Sequence, residues 1–177
     1  LLFKKDMMSK FSNSAIYDIF QSNKRILLFL LEEKILNLDQ NIYHFISMNN
    51  DYINYFYPEI KSFNDAGKYQ SNYDVDQQII DQFTNNQDDF LRKRKIGEND
   101  SYISELIRKD DIDNFISYVS KNEIPFDSKI DLSIFETNLF LLENQSSSYN
   151  NNVNLIHYSS FFGSIQIFKY LIANGIE

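Results

Sequence analysis

Apolar residues recur at spacings of three and four along most of the chain, the periodicity of amphipathic helices. Ile26, Leu27, Leu30, Leu31 and Ile35 predict a helix over 23–35 with Ser22 as its cap. Ile42, Phe45 and Ile46 repeat the pattern over 38–48. Asn49-Asn50-Asp51 then supplies a break and a cap, and Tyr52, Ile53, Phe56 and Tyr57 form the next apolar face. Pro58 is expected to limit that helix, because the residue before a proline is driven away from helical geometry. Residues 61–75 hold Gly67 and few aliphatics and read as loop. Over 73–95, Val75, Ile79, Ile80, Phe83, Phe90 and Leu91 fit two helical pieces broken at Asn85-Asn86.

Asp100 or Ser101 opens a helix carrying Ile103, Leu106 and Ile107. Asp111 or Asp113 opens a second with Phe115, Ile116, Tyr118 and Val119, and a tight turn makes the two an αα-hairpin. Residues 123–152 contain Pro125 and read as irregular, with a short helix or an extended segment over 133–142. The low-complexity run QSSSYNNN, 145–152, reads as a mobile loop.

The final stretch, LIHYSSFFGSIQIFKYLIANGIE, has its own order of residue types. Ile156-His157 is followed by the small pair Ser159-Ser160, then by Gly163 between two apolar runs. Ile167-Phe168 and Leu171-Ile172 follow, and Gly175 closes the run. Small residues allow close helix approach, and glycine adopts the left-handed turn that costs other residues roughly 1–2 kcal/mol. This order resembles the ankyrin repeat, although Asn154-Leu155 stands where that repeat opens with Thr-Pro. The signature residues are Ile156, His157, Ser159, Ser160, Gly163, Phe168, Leu171 and Gly175, and the resemblance implies that His157 ties down its own turn.

A weaker copy lies upstream. With Asp110 in the place of Gly163, a spacing of 53 residues, Ile103, Phe115, Tyr118 and Asn122 take the places of Ile156, Phe168, Leu171 and Gly175. Leu106-Ile107 replaces the small pair. Against a repeat of roughly 33 residues, this leaves about 20 inserted, placed within 123–152. Together with FYPEI (56–60), KRKIGENDSYISELIR (93–108) and SIFETNLFLL (133–142), the chain resembles a large family of degenerate ankyrin-repeat proteins from anaerobic parasitic protists. That resemblance implies a helical N-terminal region followed by an array that continues past Glu177. It brings no catalytic residues. In such an array Ile165, Phe168 and Leu171 form a face left open at the end of this chain.

The expected fold class is therefore all-α: a helical N-terminal region over 1–95, then an incomplete solenoid over 96–177. Its two ankyrin-type helix-turn-helix units lie at about 100–122 and 154–177, separated by the irregular insertion 123–152.

Composition changes this picture only at its edges. Sixteen Phe and 12 Tyr supply a core, while four Gly and two Pro suit helices better than an all-β fold. A net charge of −8 argues against nucleic acid and anionic membranes. The absence of cysteine excludes disulfides and thiolate metal sites. No apolar run approaches the roughly 20 residues of a membrane span. A soluble, intracellular, cytoplasmic protein is expected, and the non-Met start, Leu1, reads as a fragment. Arg92-Lys93-Arg94-Lys95 reads as cations at a helix end, with nuclear import as its functional alternative. Asn99-Asp100-Ser101 and Asn144-Gln145-Ser146 read as chance glycosylation triplets.

Only two histidines, His44 and His157, are present, which speaks against a triad, a zinc site or an intrinsic hydrolase. Asp110, Asp111 and Asp113, and likewise Asp74, Asp76 and Asp81, read as caps and solvated turns. Tyr43, Tyr52, Tyr55 and Tyr57 with Phe45 and Phe56 read as core. No catalytic, cofactor-binding or metal residue is assigned. The expected function is protein–protein interaction through a scaffold surface, with an unidentified protein partner. The alternative is a regulatory or targeting segment of an enzyme whose catalytic domain lies outside this chain.

Overall fold

A computed structural model describes residues 10–67, 75–146 and 153–176. The described residues hold twelve α-helices and no strand, only an isolated antiparallel bridge between Lys129 and Asn154. The chain is all-α and divides into two compact units, Leu1–Gly97 and Glu98–Glu177.

The first unit carries α1 (Asn13–Phe20), α2 (Lys24–Glu32), α3 (Gln40–Ser47), α4 (Asn50–Tyr55), α5 (Tyr57–Asp65), α6 (Gln77–Asn85) and α7 (Gln87–Ile96). Local side chains set most of these starts. Asn23, Asp39, Asn49, Asp76 and Asn86 each accept a backbone N–H of the first turn, satisfying donors that a helix leaves unpaired. The cap of α2 is thus Asn23 rather than Ser22. Pro58 does not end a helix. It lies in the first turn of α5, where its missing N–H costs nothing. Residues 61–65, read as loop, complete α5 because Ile60 and Phe63 bury its inner face. Residues 68–74 lie outside the described residues. Gly97, at φ +74°, ends α7. The core gathers Leu27, Leu36, Ile42, Tyr43, Ile46, Ile53, Tyr55 and Phe56. Of the aromatic group, Tyr43, Tyr55, Phe56 and Tyr57 are buried, Tyr52 is half-buried, and Phe45 is exposed against Tyr17.

The second unit carries α8 (Tyr102–Arg108), α9 (Ile112–Lys121), α10 (Leu139–Ser146), α11 (Leu155–Phe162) and α12 (Ile165–Ala173). Helices α8 and α9 form one hairpin and α11 and α12 another. The hairpins lie side by side, α8 against α11 and α9 against α12. Asp111 and Asn154 cap α9 and α11 through their side chains.

The segment between the hairpins is less irregular than its composition suggests. It contains α10, and Ile130, Phe135 and Leu141 are buried. It returns to the second hairpin through Ile130 N–H to Val153 O (2.9 Å) and Leu155 N–H to Ser128 O (3.1 Å). Of the low-complexity run, residues 145 and 146 end α10 and the rest lies outside the described residues.

Candidate functional site

Eight signature residues come together around the second hairpin. Ile156 and Ser159 are buried in α11, whereas His157 and Ser160 are exposed. The turn is tied by Asn154, whose Oδ1 accepts the His157 N–H at 3.0 Å. The tie expected of the His157 side chain is therefore made by the residue three positions earlier. Gly163 (φ +69°) and Gly175 (φ +85°) both take the left-handed conformation. Phe168 is half-buried, but Leu171 is 0 % exposed. Leu171 thus belongs to the core and not to the open face, because it looks back into the cluster with Ile167 and Phe115.

The 53-residue offset holds from turn to turn. Asp110 occupies the Gly163 position at φ +51°, a conformation that Asp tolerates better than most residues. Asp111 and Ser164 are both N-caps, and Ile112 and Ile165 both begin helices. The offset fails at the exit: α9 has ten residues and α12 nine, so the left-handed exit residue is Glu123 (φ +51°) and not Asn122.

The two hairpins are joined by specific polar contacts. The Ser164 hydroxyl donates to the carbonyl of Ile107 in α8. The Asp110 carboxylate accepts Gln166 N–H (3.0 Å) and Ile167 N–H (3.0 Å) at the start of α12. A residue of one hairpin thus supplies the capping acceptor for a helix of the other. Ser164, the N-cap by position, makes no such side-chain bond.

Beyond the second hairpin, Ser160, Gly163, Ser164, Ile165, Phe168 and Lys169 line a groove of about 260 Å³. Phe161 is 40 % exposed, Ile165 60 % and Ile172 47 %. Shifted by 53 residues, Ile165, Phe168, Lys169 and Ile172 become Ile112, Phe115, Ile116 and Val119. This is the face of α9 that includes the two fully packed side chains Phe115 and Val119, with the Phe115 ring 6.4 Å from Tyr170 of α12. The inner face of α12 behaves oppositely. Ile167 and Leu171 are buried, while their counterparts Asn114 and Tyr118 are exposed and half-buried.

Other candidate groups have structural settings. Arg94, in the basic run, is 3 % exposed. Its two terminal nitrogens meet Glu59 at 2.6 and 2.9 Å, and its guanidinium lies 5.7 Å from the Tyr55 ring centroid. Arg92 and Lys93 pair with Asp89. An import signal needs these cations displayed together, and the fold withholds the central one. Burial pushes the Tyr52 and Tyr55 hydroxyls up to about 12. Asn99 is fully buried, so its triplet offers no side chain for glycosylation in the folded chain. The side chain of Asn144 lies outside the described residues.

Sequence reading missed two groups. Glu136 is a buried carboxylate bonded to backbone N–H groups, and Arg108 links Asn99 O (2.8 Å), the Tyr158 hydroxyl (2.9 Å) and Glu98 (3.0 Å). The bonds that tie each to another part of the fold, Glu136 to Asn99 and Arg108 to Tyr158, span 37 and 50 residues and leave no local sequence signal. Burial raises the Tyr158 hydroxyl, opposed by Arg108. Among the described residues no cluster of three or more His, Asp or Glu side chains is placed to hold a metal ion, and no helix is long and apolar enough to cross a membrane.

Compared with models of known protein families, with curated proteins and with solved structures, the chain matches none.

Proposed function

We propose that the C-terminal unit is a scaffold of stacked, ankyrin-type helix pairs that acts by protein–protein recognition and performs no bond chemistry. One observation carries this reading. At an offset of 53 residues, the open groove on the second hairpin corresponds to the surface where the first hairpin meets the second at Ile107, Asp110 and Phe115. A face of that pattern takes another helix pair. Such a pair would lay its second helix across Ile165 and Phe168, as α12 lies on α9. It would offer a hydroxyl to Ser160 O, as Ser164 offers one to Ile107 O. In stacked repeats each unit buries its apolar face against a neighbour, and the exposed side chains choose the partner.

The opposite end supports the same reading. The α9 counterparts of the buried Ile167 and Leu171 are Asn114 and Tyr118, so this edge of the stack carries the polar character of a cap.

The test is to append a second copy of residues 124–176 after Ile176, which repeats the natural spacing. The expected result is a higher melting temperature and protection of Phe168 and Ile165 from solvent in a cooperative unit. An appended segment that leaves both residues exposed and the melting curve unchanged overturns the proposal.

A further inference from the structure

Glu136 is 2 % exposed and lies outside any helix, three residues before α10. Its Oε1 accepts the N–H groups of Thr137 (3.0 Å) and Asn138 (2.8 Å). Its Oε2 accepts the N–H of Asn99 at 3.2 Å, across 37 residues of chain. Asn99 is itself 0 % exposed. Its Nδ2 donates to Asp131 O (2.9 Å) and its Oδ1 accepts Ser101 N–H (3.1 Å). One carboxylate therefore fastens the entry of α8 to the start of α10.

The ionisable groups facing this carboxylate are few. Arg108 of α8 approaches through its bond to Asn99 O and is balanced on its other side by Glu98. Tyr158 of α11 stands beyond Arg108. Asp100 and Asp131 meet the cluster through their backbones, the Asp100 N–H donating to Ser133 Oγ (3.3 Å) and the Asp131 carbonyl accepting from Asn99.

We propose that Glu136 is an acid-responsive latch: ionised, it holds the 98–101 segment against the start of α10, and protonated, it releases the Asn99 amide while both hairpins stay folded. A protonated carboxyl turns one acceptor oxygen into a donor and gives up the charge that strengthens its bonds. The Asn99 bond is the longest of the three and the one that spans the chain, so it is the first lost. A fully buried N–H without a partner is costly, and the segment moves to reach water.

Burial raises the Glu136 carboxyl, and the three N–H bonds and Arg108 oppose that rise. The raised value sets the sign. Between the unfolded and the folded value, the native state holds a proton that the unfolded chain has lost. Acidification through that window favours the folded unit, so the release is local.

The test is NMR on the whole chain, following the Glu136 carboxyl carbon and the Asn99 amide from about pH 7 downward. Glu136 is expected to titrate above the ordinary carboxylate range. Asn99 exchange, corrected for its intrinsic pH dependence, is expected to quicken about tenfold in the same step, the loss of roughly one hydrogen bond. Amides of Phe115 and Leu171 should keep their protection. Glu136→Gln should show fast Asn99 exchange at every pH, because its amide nitrogen cannot accept from Asn99. Three results overturn the proposal: Asn99 exchange indifferent to Glu136 ionisation, acid release retained in Glu136→Gln, or unfolding of the hairpins in the same step. Should Glu136→Gln not fold, the wild-type titration decides alone.

Discussion

Asp110 holds a strained backbone and a neighbouring helix at once, and two substitutions separate those roles. Asp110→Ala removes the acceptor shared by the N–H groups of Gln166 and Ile167 and keeps the left-handed φ of +51°. Loss of a helix-capping side chain costs about 0.5–2 kcal/mol, and loss of a negative charge at a helix start about 0.3–1 kcal/mol. The half-exposed setting favours the lower part of each range, so about 1.5 kcal/mol is expected, with the strain retained. Asp110→Gly loses the same bonds but avoids the left-handed strain, worth roughly 1–2 kcal/mol for an ordinary residue such as alanine. It should fall close to the wild type. The assay is native-state hydrogen exchange at Gln166 and Ile167, with urea unfolding by circular dichroism for the whole unit. In the alanine variant these two amides should lose protection by about tenfold, the equivalent of about 1.4 kcal/mol. In the glycine variant they should exchange as fast while the unfolding midpoint stays near wild type. Equal midpoints for the two variants, or unchanged exchange at Gln166 and Ile167 in either, would refute the reasoning.

Three further outcomes are expected. Phe115→Ala should cost the roughly 3–5 kcal/mol of a fully buried ring, and Phe168→Ala, at the half-open position of the same pattern, clearly less, as read by urea unfolding. Arg94→Ala should destabilise the first unit by roughly 3–5 kcal/mol, because it strands the part-buried Glu59 carboxylate, while Lys95→Ala at an exposed position should stay near neutral in the same assay. Tyr52 and Tyr55 should ionise near pH 12 in the folded chain, against about 10 unfolded. The first unit should therefore lose stability as pH rises from about 10 towards about 12, where only the unfolded chain has given up the protons. Tyrosinate absorbance gives the titration, and an ordinary value near 10 in the folded state would contradict it.

Features written in neighbouring residues were legible beforehand. Asn49 and Asp111 act on the turn beside them, and their chemistry reads directly from the chain. The equivalence of Asp110 with Gly163 was legible too, since apolar spacing on both sides fixes where the turn falls. Pro58 was not, because proline suits the first turn of one helix as well as the end of another, and the burial of Phe63 decides between them. Over 133–142 a short helix and an extended segment both stayed open, because α10 has scarcely any amphipathic pattern and, among its described side chains, only Leu141 is buried. Glu136 and Arg94 were invisible for a different reason. Each is an ordinary charged residue until a partner 35 or 37 positions away arrives. The groove could be anticipated at Ile165 and Phe168, but Leu171 was misplaced by one face of a helix.

The two turn residues, Asp110 and Gly163, are neighbours in the genetic code. A single change at the second codon base turns glycine into aspartate. The first turn holds a carboxylate that fixes the second helix of the other pair, and the second turn holds none, with open space around the position where a side chain would begin. How firmly one helix pair grips the following one is therefore a trait that a point mutation can switch. The junction between two such helix pairs can be stiffened or loosened in that way while every apolar contact stays in place.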